Sequence, residues 1–378
     1  MFEFYVRFIW PVHRRFVRQQ IASRCRRCAA SEKMLRIETD GLCEACHRYI
    51  AAGDGETANS ALRRNENAAE QERLNRILES HENTPGASYD ALVLFSGGKD
   101  SSYLIHRLKL EHPRLRILAY TINNGFMSPI ALGNIDDLVG RMAIDHVFVR
   151  PSRKWYELLF GYGLTHLNED GAYGTVDFSD GEFMLDTARR IAAEKKIPLI
   201  LCGYSRYQVQ NGLNLNSFES PRERERSDRT SVAGFALSSV FTPTEVQNWW
   251  HGSAWPEERV ARLLFPLFVW DLEEDEIKRQ VAAWGLLTKN DYSPAATNHQ
   301  LIPLLGVVDV HRIGYSSFEP EFCRMIREGK ADRKTWQFTF EFLEFTARTG
   351  LFIKRPVDDG LAWLNLTRTD VGITFEKD

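Results

Sequence analysis

One stretch, residues 89–110, leaves few folds open to this chain: YDALVLFSGGKDSSYLIHRLKL. Residues 91–95 form a short apolar run of β-formers, which predicts a buried strand. Ser96-Gly97-Gly98-Lys99-Asp100-Ser101 follows, and its adjacent glycines permit a tight turn and close backbone approach to a ligand. From Ser101 onward the pattern is helical, with Leu104, Ile105 and Leu108 on one face. A strand, a glycine turn and a helix N-terminus in that order make an anion site, because free N–H groups and the helix dipole converge there. A plain βα turn with a Ser or Asp cap would share the outline. The crowding of Ser96, Lys99, Asp100 and Ser101 goes beyond what a cap requires.

The rest of the chain sets the bounds. It has 378 residues, room for one large domain or two to three smaller ones, and is 43% hydrophobic and 26% charged. A formal net charge of −3 argues against a generally basic nucleic-acid surface, so nucleic acid is not the expected partner. No apolar run reaches membrane-span length. The opening residues, MFEFYVRFIWPVHRRFVRQQ, lack a signal-peptide pattern, since Arg7 interrupts the apolar part and no small-residue cleavage site follows. Their alternation of aromatics with Arg7, Arg14, Arg15 and Arg18 suits either a membrane-surface segment or packing on the body or a second subunit of a homo-oligomer. A cytoplasmic setting is expected, where disulfides are rare.

Cys25 and Cys28, then Cys43 and Cys46, form two CxxC pairs with fourteen residues between them. Each pair can offer two thiolates to one metal, and two such knuckles close a tetrahedron. Four thiolates leave no open position, so structural Zn²⁺ is expected; an iron–sulfur cluster and metal-free cysteines are the alternatives. Residues 51–87 read as a helical linker, closed by Thr84-Pro85-Gly86. Strands are expected at 116–122, 146–149 and 197–203, alternating with helices at 134–145 and 183–195. That alternation implies an α/β doubly wound parallel sheet, with ligands beyond the carboxyl ends of the strands. Gly203, Tyr204 and Arg206 then face the same crevice as the glycine turn, and Tyr204 and Arg206 become candidate substrate contacts. Cys202 reads as strand packing rather than as a nucleophile. The charge run ESPRERERSDR reads as a solvated loop or a lid, the tryptophans of 244–264 as core, and 265 onward as a short extended piece before a helix. Asn298, His299, Asp309, His311 and Arg327 crowd into a late polar segment, which offers His299 and His311 for acid–base work and Asn298 and Arg327 for the acceptor.

The turn is too short for a Walker A loop. It resembles the SGGxDS signature of the PP-loop ATP pyrophosphatases over Ser96, Gly97, Gly98, Asp100 and Ser101, with Lys99 in the variable place. The resemblance implies a PP-loop/HUP-like fold and a site that cleaves ATP between its α and β phosphates with Mg²⁺. Residues 96–102, including Ser102, would hold the nucleotide, and Lys99 and Asp100 would act in catalysis. At the end of the second strand, Thr121 and Asn123 would hold adenosine, with Gly203 beside them.

The CxxC head, SGGKDS, KIPLILCG and the late GYSSFEPEFCRMIREGKADR together look like the N-acetyl sugar amidotransferase group, over most of residues 25–335. That implies adenylation of an amide oxygen of a small-molecule, nucleotide-linked N-acetyl sugar, for surface-polysaccharide synthesis. Ammonia would then displace AMP, supplied by a partner glutaminase subunit. The runners-up are a PP-loop sulfur transferase and a non-enzymatic ATP-binding regulator. The expected organisation is a basic-aromatic segment at 1–24, a zinc-ribbon-like module at 25–50, the helical linker, a PP-loop domain at 88–290 and a mostly helical C-terminal substrate region at 291–378.

Overall fold

The computed structural model describes residues 4–52, 58–272, 274–286 and 299–376. After the cysteine knuckles come α1 (Glu44–Ala51) and the long helix α2 (Ala58–Ser80). The sheet region then runs β1 (Ala91–Leu94), α3 (Lys99–Glu111), β2 (Ile117–Ile122), α4 (Pro129–Met142), β3 (Asp145–Val149), α5 (Arg153–Thr165), α6 (Phe178–Lys195) and β4 (Leu199–Leu201). A small hairpin, β5 (Ser231–Val232) and β6 (Phe235–Ala236), precedes β7 (Arg262–Leu264). The chain ends in a helical region with α7 (Ile302–Arg312), α8 (Glu319–Arg327), α9 (Arg333–Thr349) and α10 (Lys354–Trp363).

Five strands form one parallel sheet in the order β3-β2-β1-β4-β7. Every residue of β1, β2 and β4 is buried, as continuous apolar strands covered on both faces require. Complete burial of Leu92 and Val93 contributes about 1.5–3 kcal/mol each. From β1 the chain winds outward to β2 and β3, then returns to build β4 and β7 on the other side. The order therefore reverses between β1 and β4, and the loops leaving those two strands part there into a crevice.

Two readings of the sequence need correction. The extended piece lies earlier than expected: β7 is Arg262–Leu264, and Pro266–Trp270 is already helical. The charge run is solvated on one side only: Glu223, Arg226 and Asp228 are exposed, but the run is pinned from beneath. Its Glu225 is buried on Arg189 at 2.7 Å, Arg189 also holds Asp186 at 2.6 Å, and Arg229 reaches Asp186 at 3.0 Å. Opposite charges from α6, distant in sequence, hold the run down. Of the tryptophans of 244–264, Trp249 and Trp250 are core, and Trp255 is half-buried and stacked on Trp250.

The cysteine module docks on the last third of the chain. Arg24 is buried between Glu319 at 3.1 Å and Glu344 at 3.3 Å. Arg333 donates to the Cys25 carbonyl at 3.0 Å, and the Ser31 amide donates to Glu319 at 3.2 Å. Breaking a buried pair by removing one partner costs about 3–5 kcal/mol, because a buried charge is stranded. The N-terminal segment packs its inner face on α9 through Trp10, whose indole donates to Glu341 at 3.2 Å, and through Arg14, also on Glu341.

Candidate functional site

The 96–101 turn closes because Gly97 adopts a φ of +71°. A side chain there would also put its Cβ 2.3 Å from the Ala131 carbonyl oxygen. Asn134 donates to the Gly97 carbonyl at 3.1 Å and fixes the turn against α4. Gly98 is the N-cap of α3 and contributes no side-chain cap, so the first amides of the helix open onto the crevice, with Asp100 in the first turn. Ser101 accepts from the Ser96 amide at 3.2 Å and donates to the Gly98 carbonyl at 3.2 Å. Lys99 and Asp100 pair at 2.7 Å at the mouth. Ser102 is buried beneath the turn. On the far side, Gly203 lies 3.6 Å from the backbone of Asp100 and Ser101, measured from where a Cβ would be.

The end of β2 forms the next wall. Thr121 donates to the Phe95 carbonyl at 2.5 Å, with His146 on the same hydroxyl at 2.9 Å, and Asn123 accepts from the Gly125 amide at 2.8 Å. Both side chains are therefore committed to shaping the strand end. Asn124 is the residue that reaches outward. Its amide group contacts Asp180 Oδ2 at 2.6 Å and His299 Nε2 at 2.5 Å. His299 is drawn there by a bridge to Met127, and the following Gln300 amide donates to the Phe126 carbonyl at 2.6 Å. Burial pushes the Asp180 carboxyl up to about 7, against the Asn124 hydrogen bond, and pushes His299 down to about 4. Among the described residues, Asp180 Oδ1 and His299 Nδ1 are buried without a partner. Sequence reading missed Asn124 and Asp180; the only signal was a lone Asp two residues into α6.

Beside this trio lies a cavity of about 200 Å³. Its walls include Tyr173, Tyr204, Tyr207, Tyr315, Asp177 and Glu182, and among the described residues no lysine, arginine or histidine lines it. Tyr204 follows Gly203 directly, so the cavity begins next to the 96–101 turn. Burial raises Asp177 to about 6, opposed by a hydrogen bond from Tyr173. Gly181 is required here, since a Cβ would lie 2.7 Å from the Tyr204 hydroxyl.

Three of the expected site residues have other settings. His311 hydrogen-bonds the Ala347 carbonyl at 2.9 Å and packs near Phe375, within the C-terminal helices. Arg206 lies over the Phe268 ring at 4.1 Å and donates to Asn67 at 2.7 Å, with the half-buried carboxylates of Glu70 and Asp271 at 3.8 and 3.7 Å. Arg327 sits by the cysteines, with its guanidinium toward Cys28. Closeness in sequence grouped His311 with Arg327, and the strand end at Gly203 suggested Arg206, but the elements carry them to different places. Asn298 lies outside the described residues.

The four paired cysteines are buried, and their sulfurs lie within 4.8 Å of one another. Cys25 and Cys46 are 3.7 Å apart and Cys28 and Cys43 are 3.6 Å apart. The set can hold a metal, with Cys323 of α8 packed against it.

No family model and no curated protein matches the chain. Among solved structures, it is similar to a U34-tRNA thiolase, NcsA, from Methanococcus maripaludis with its 4Fe–4S cluster. The identity is 13%, the TM-score 0.37, and the match covers 94% of this chain and 91% of that one. It is also similar to an NMN synthetase from Francisella tularensis, at 11% identity and a TM-score of 0.39, over 82% of this chain and 98% of that one. A predicted subunit of a tRNA methyltransferase from Methanocaldococcus jannaschii matches at 18% identity and a TM-score of 0.29, over 51% and 74%. Likenesses this distant add nothing to what the strand order and the glycine turn establish. No described helix is long and apolar enough to cross a membrane.

Proposed function

We propose that this chain is a PP-loop adenylating enzyme that forms AMP and pyrophosphate, and that it acts as an amidotransferase on an N-acetyl sugar. The observation that carries the reading is the 96–101 turn. Its positive-φ glycine, uncapped helix start and Gly203 neighbour meet where the sheet order reverses. Amides of this turn, with Lys99, would stabilise charge on the α-phosphate and pyrophosphate, and Asp100 would hold Mg²⁺, which supplies further neutralisation.

The acceptor's amide oxygen attacks the α-phosphorus; a P–O bond forms and the α–β bridging P–O bond breaks, releasing pyrophosphate. Ammonia then attacks the activated carbon, the C–O bond to AMP breaks, and an amidino group remains. A base is needed to take a proton from the attacking nitrogen, and Asp180, raised to about 7 beside Asn124 and His299, would serve as it. The tyrosine and carboxylate walls suit a hydroxyl-rich sugar and repel phosphates, so a nucleotide-linked acceptor would insert its sugar and leave its diphosphate outside. The ammonia source would be a glutaminase partner or free ammonium.

The sulfur-transferase alternative is weaker here. Burial pushes Cys202 up to about 12, which leaves no thiolate, and Cys323 is packed into the cysteine module. Zinc is the proposed metal. A tetrahedral ion with Zn–S bonds of about 2.3 Å sets its sulfurs about 3.8 Å apart, close to the spacing of these thiols. A cluster of several irons would hold them farther apart.

The test is product analysis with ATP, Mg²⁺, ammonium and a panel of UDP- and CMP-linked N-acetyl sugars. AMP and pyrophosphate are expected, abolished by Asp100→Ala with the thermal transition unchanged. Production of ADP and phosphate would sink the assignment.

A further inference from the structure

The N-terminal segment presents an apolar, basic face that the proposed chemistry does not use. Its inner residues, Val6 and Trp10, are buried on α9, which holds the segment in place. Its outer residues are exposed to an unusual degree: Phe4 is 60%, Phe8 60%, Val12 57% and Phe16 82% exposed. They recur every fourth residue, and the Phe4 and Phe8 rings lie 5.1 Å apart. Phe352, 66% exposed, joins them from the far end of the chain, with its ring 5.3 Å from that of Tyr5. Phe352 also lines an apolar recess of about 260 Å³, with Phe322, Trp336, Phe340 and Leu343 among its walls.

Charge separates sharply here. Residues 4–18 contain no Asp or Glu, although the chain as a whole carries −3. Arg7, Arg15 and Arg18 are exposed, and among the described residues none has an ion-pair partner. Aromatic rings flanked by unpaired guanidinium groups match the boundary between lipid headgroups and acyl chains, where rings sit at headgroup depth and arginine meets phosphate. A face between two copies of this chain would bring these unpaired arginines against each other, which opposes association.

We propose that this face, residues 4–18 with Phe352, seats the protein on an anionic membrane surface without crossing it. The contact would be peripheral, strengthened by the arginines and dependent on salt.

Flotation of the full chain with vesicles tests this, comparing phosphatidylcholine alone with phosphatidylcholine containing phosphatidylglycerol. Binding is expected on the anionic vesicles only, and lost in high salt. The triple variant Arg7→Gln, Arg15→Gln, Arg18→Gln should weaken partitioning by about a hundredfold. Phe8→Ser with Phe16→Ser should weaken it by at least about tenfold. All five side chains are exposed, so thermal transitions and metal content should match the parent. Three outcomes would overturn the proposal: no binding to either vesicle, equal binding to both, or a dimer in light scattering that the phenylalanine changes abolish. The last would make the face an interface between copies.

Discussion

The cysteine module takes all four of its ligands from residues 25–46, whereas the crevice draws on Ser96, Asn124, Asp180, Tyr204 and His299. The first is a local device. Two turns of chain bring the sulfurs within 4.8 Å, and the thiols face one another. The second exists only once the sheet has formed and a bridge has drawn His299 to Met127. Four thiolates on one metal would leave no coordination position open, while the crevice keeps Asp180 Oδ1 and His299 Nδ1 buried and unpartnered among the described residues. Closed sites hold structure and open ones leave room for chemistry, so damage to the two should read out differently.

The largest effect is expected at the module. Cys43→Ser should abolish metal binding and lower stability by on the order of 5 kcal/mol, because metal binding and folding are one equilibrium. Elemental analysis with hydrogen exchange over residues 319–349 checks it. Retained metal and an unchanged transition would break the distinction between the two regions.

A smaller, pH-dependent effect is expected at the crevice. Asp180 holds its proton up to about 7 when folded but releases it in the ordinary carboxylate range when unfolded, so its contribution to stability falls as pH rises through that window. His299 acts in the opposite sense: held down at about 4, it refuses a proton that the unfolded ring accepts, and stability falls as pH drops below 6.5. Asp180→Asn removes only the first contribution. The variant should therefore gain on the order of 1–3 kcal/mol over the parent near pH 8 and nothing near pH 4, while formation of the amidino product falls. Thermal unfolding across pH tests the crossing slopes. A pH-independent difference would mean that Asp180 is an ordinary ionised carboxylate.

The smallest effect sharpens the boundary of the crevice. His311→Ala removes one hydrogen bond, to Ala347, and should cost about 1 kcal/mol with no change in turnover. A lost rate at unchanged stability would return His311 to the site.

The parts of this molecule that were legible in sequence are those whose physics is local. Strands β1, β2 and β4 could be read because each is an apolar run bounded by turns, and β3 from its Val147-Phe148-Val149 end. The cysteine pairs could be read because spacing alone decides them. β7 was misplaced because three residues beside a helix leave too short a signal. ESPRERERSDR was misread because the partners that bury it, Asp186 and Arg189, lie on α6, more than thirty residues earlier. His311, Arg206 and Arg327 were grouped at the crevice by chain proximity and polarity, neither of which fixes where a side chain ends up. Asp180 drew no notice because the helix reads from 183 in sequence, which leaves Asp180 in a loop-like stretch with Asp177 and Glu182, where carboxylates are ordinarily solvated.

The buried Arg24, clasped by Glu319 and Glu344, also sets a timetable for synthesis. The cysteine knuckles leave the ribosome early, but the helices that cover them emerge about 270 residues later, roughly 15–55 s at ordinary elongation rates. Through that interval the young module must either hold its metal uncovered or wait empty with its thiols exposed. Premature termination between β7 and α8 would leave it in that state permanently, a nascent fragment with its sheet strands complete, a reactive head and no surface to close against.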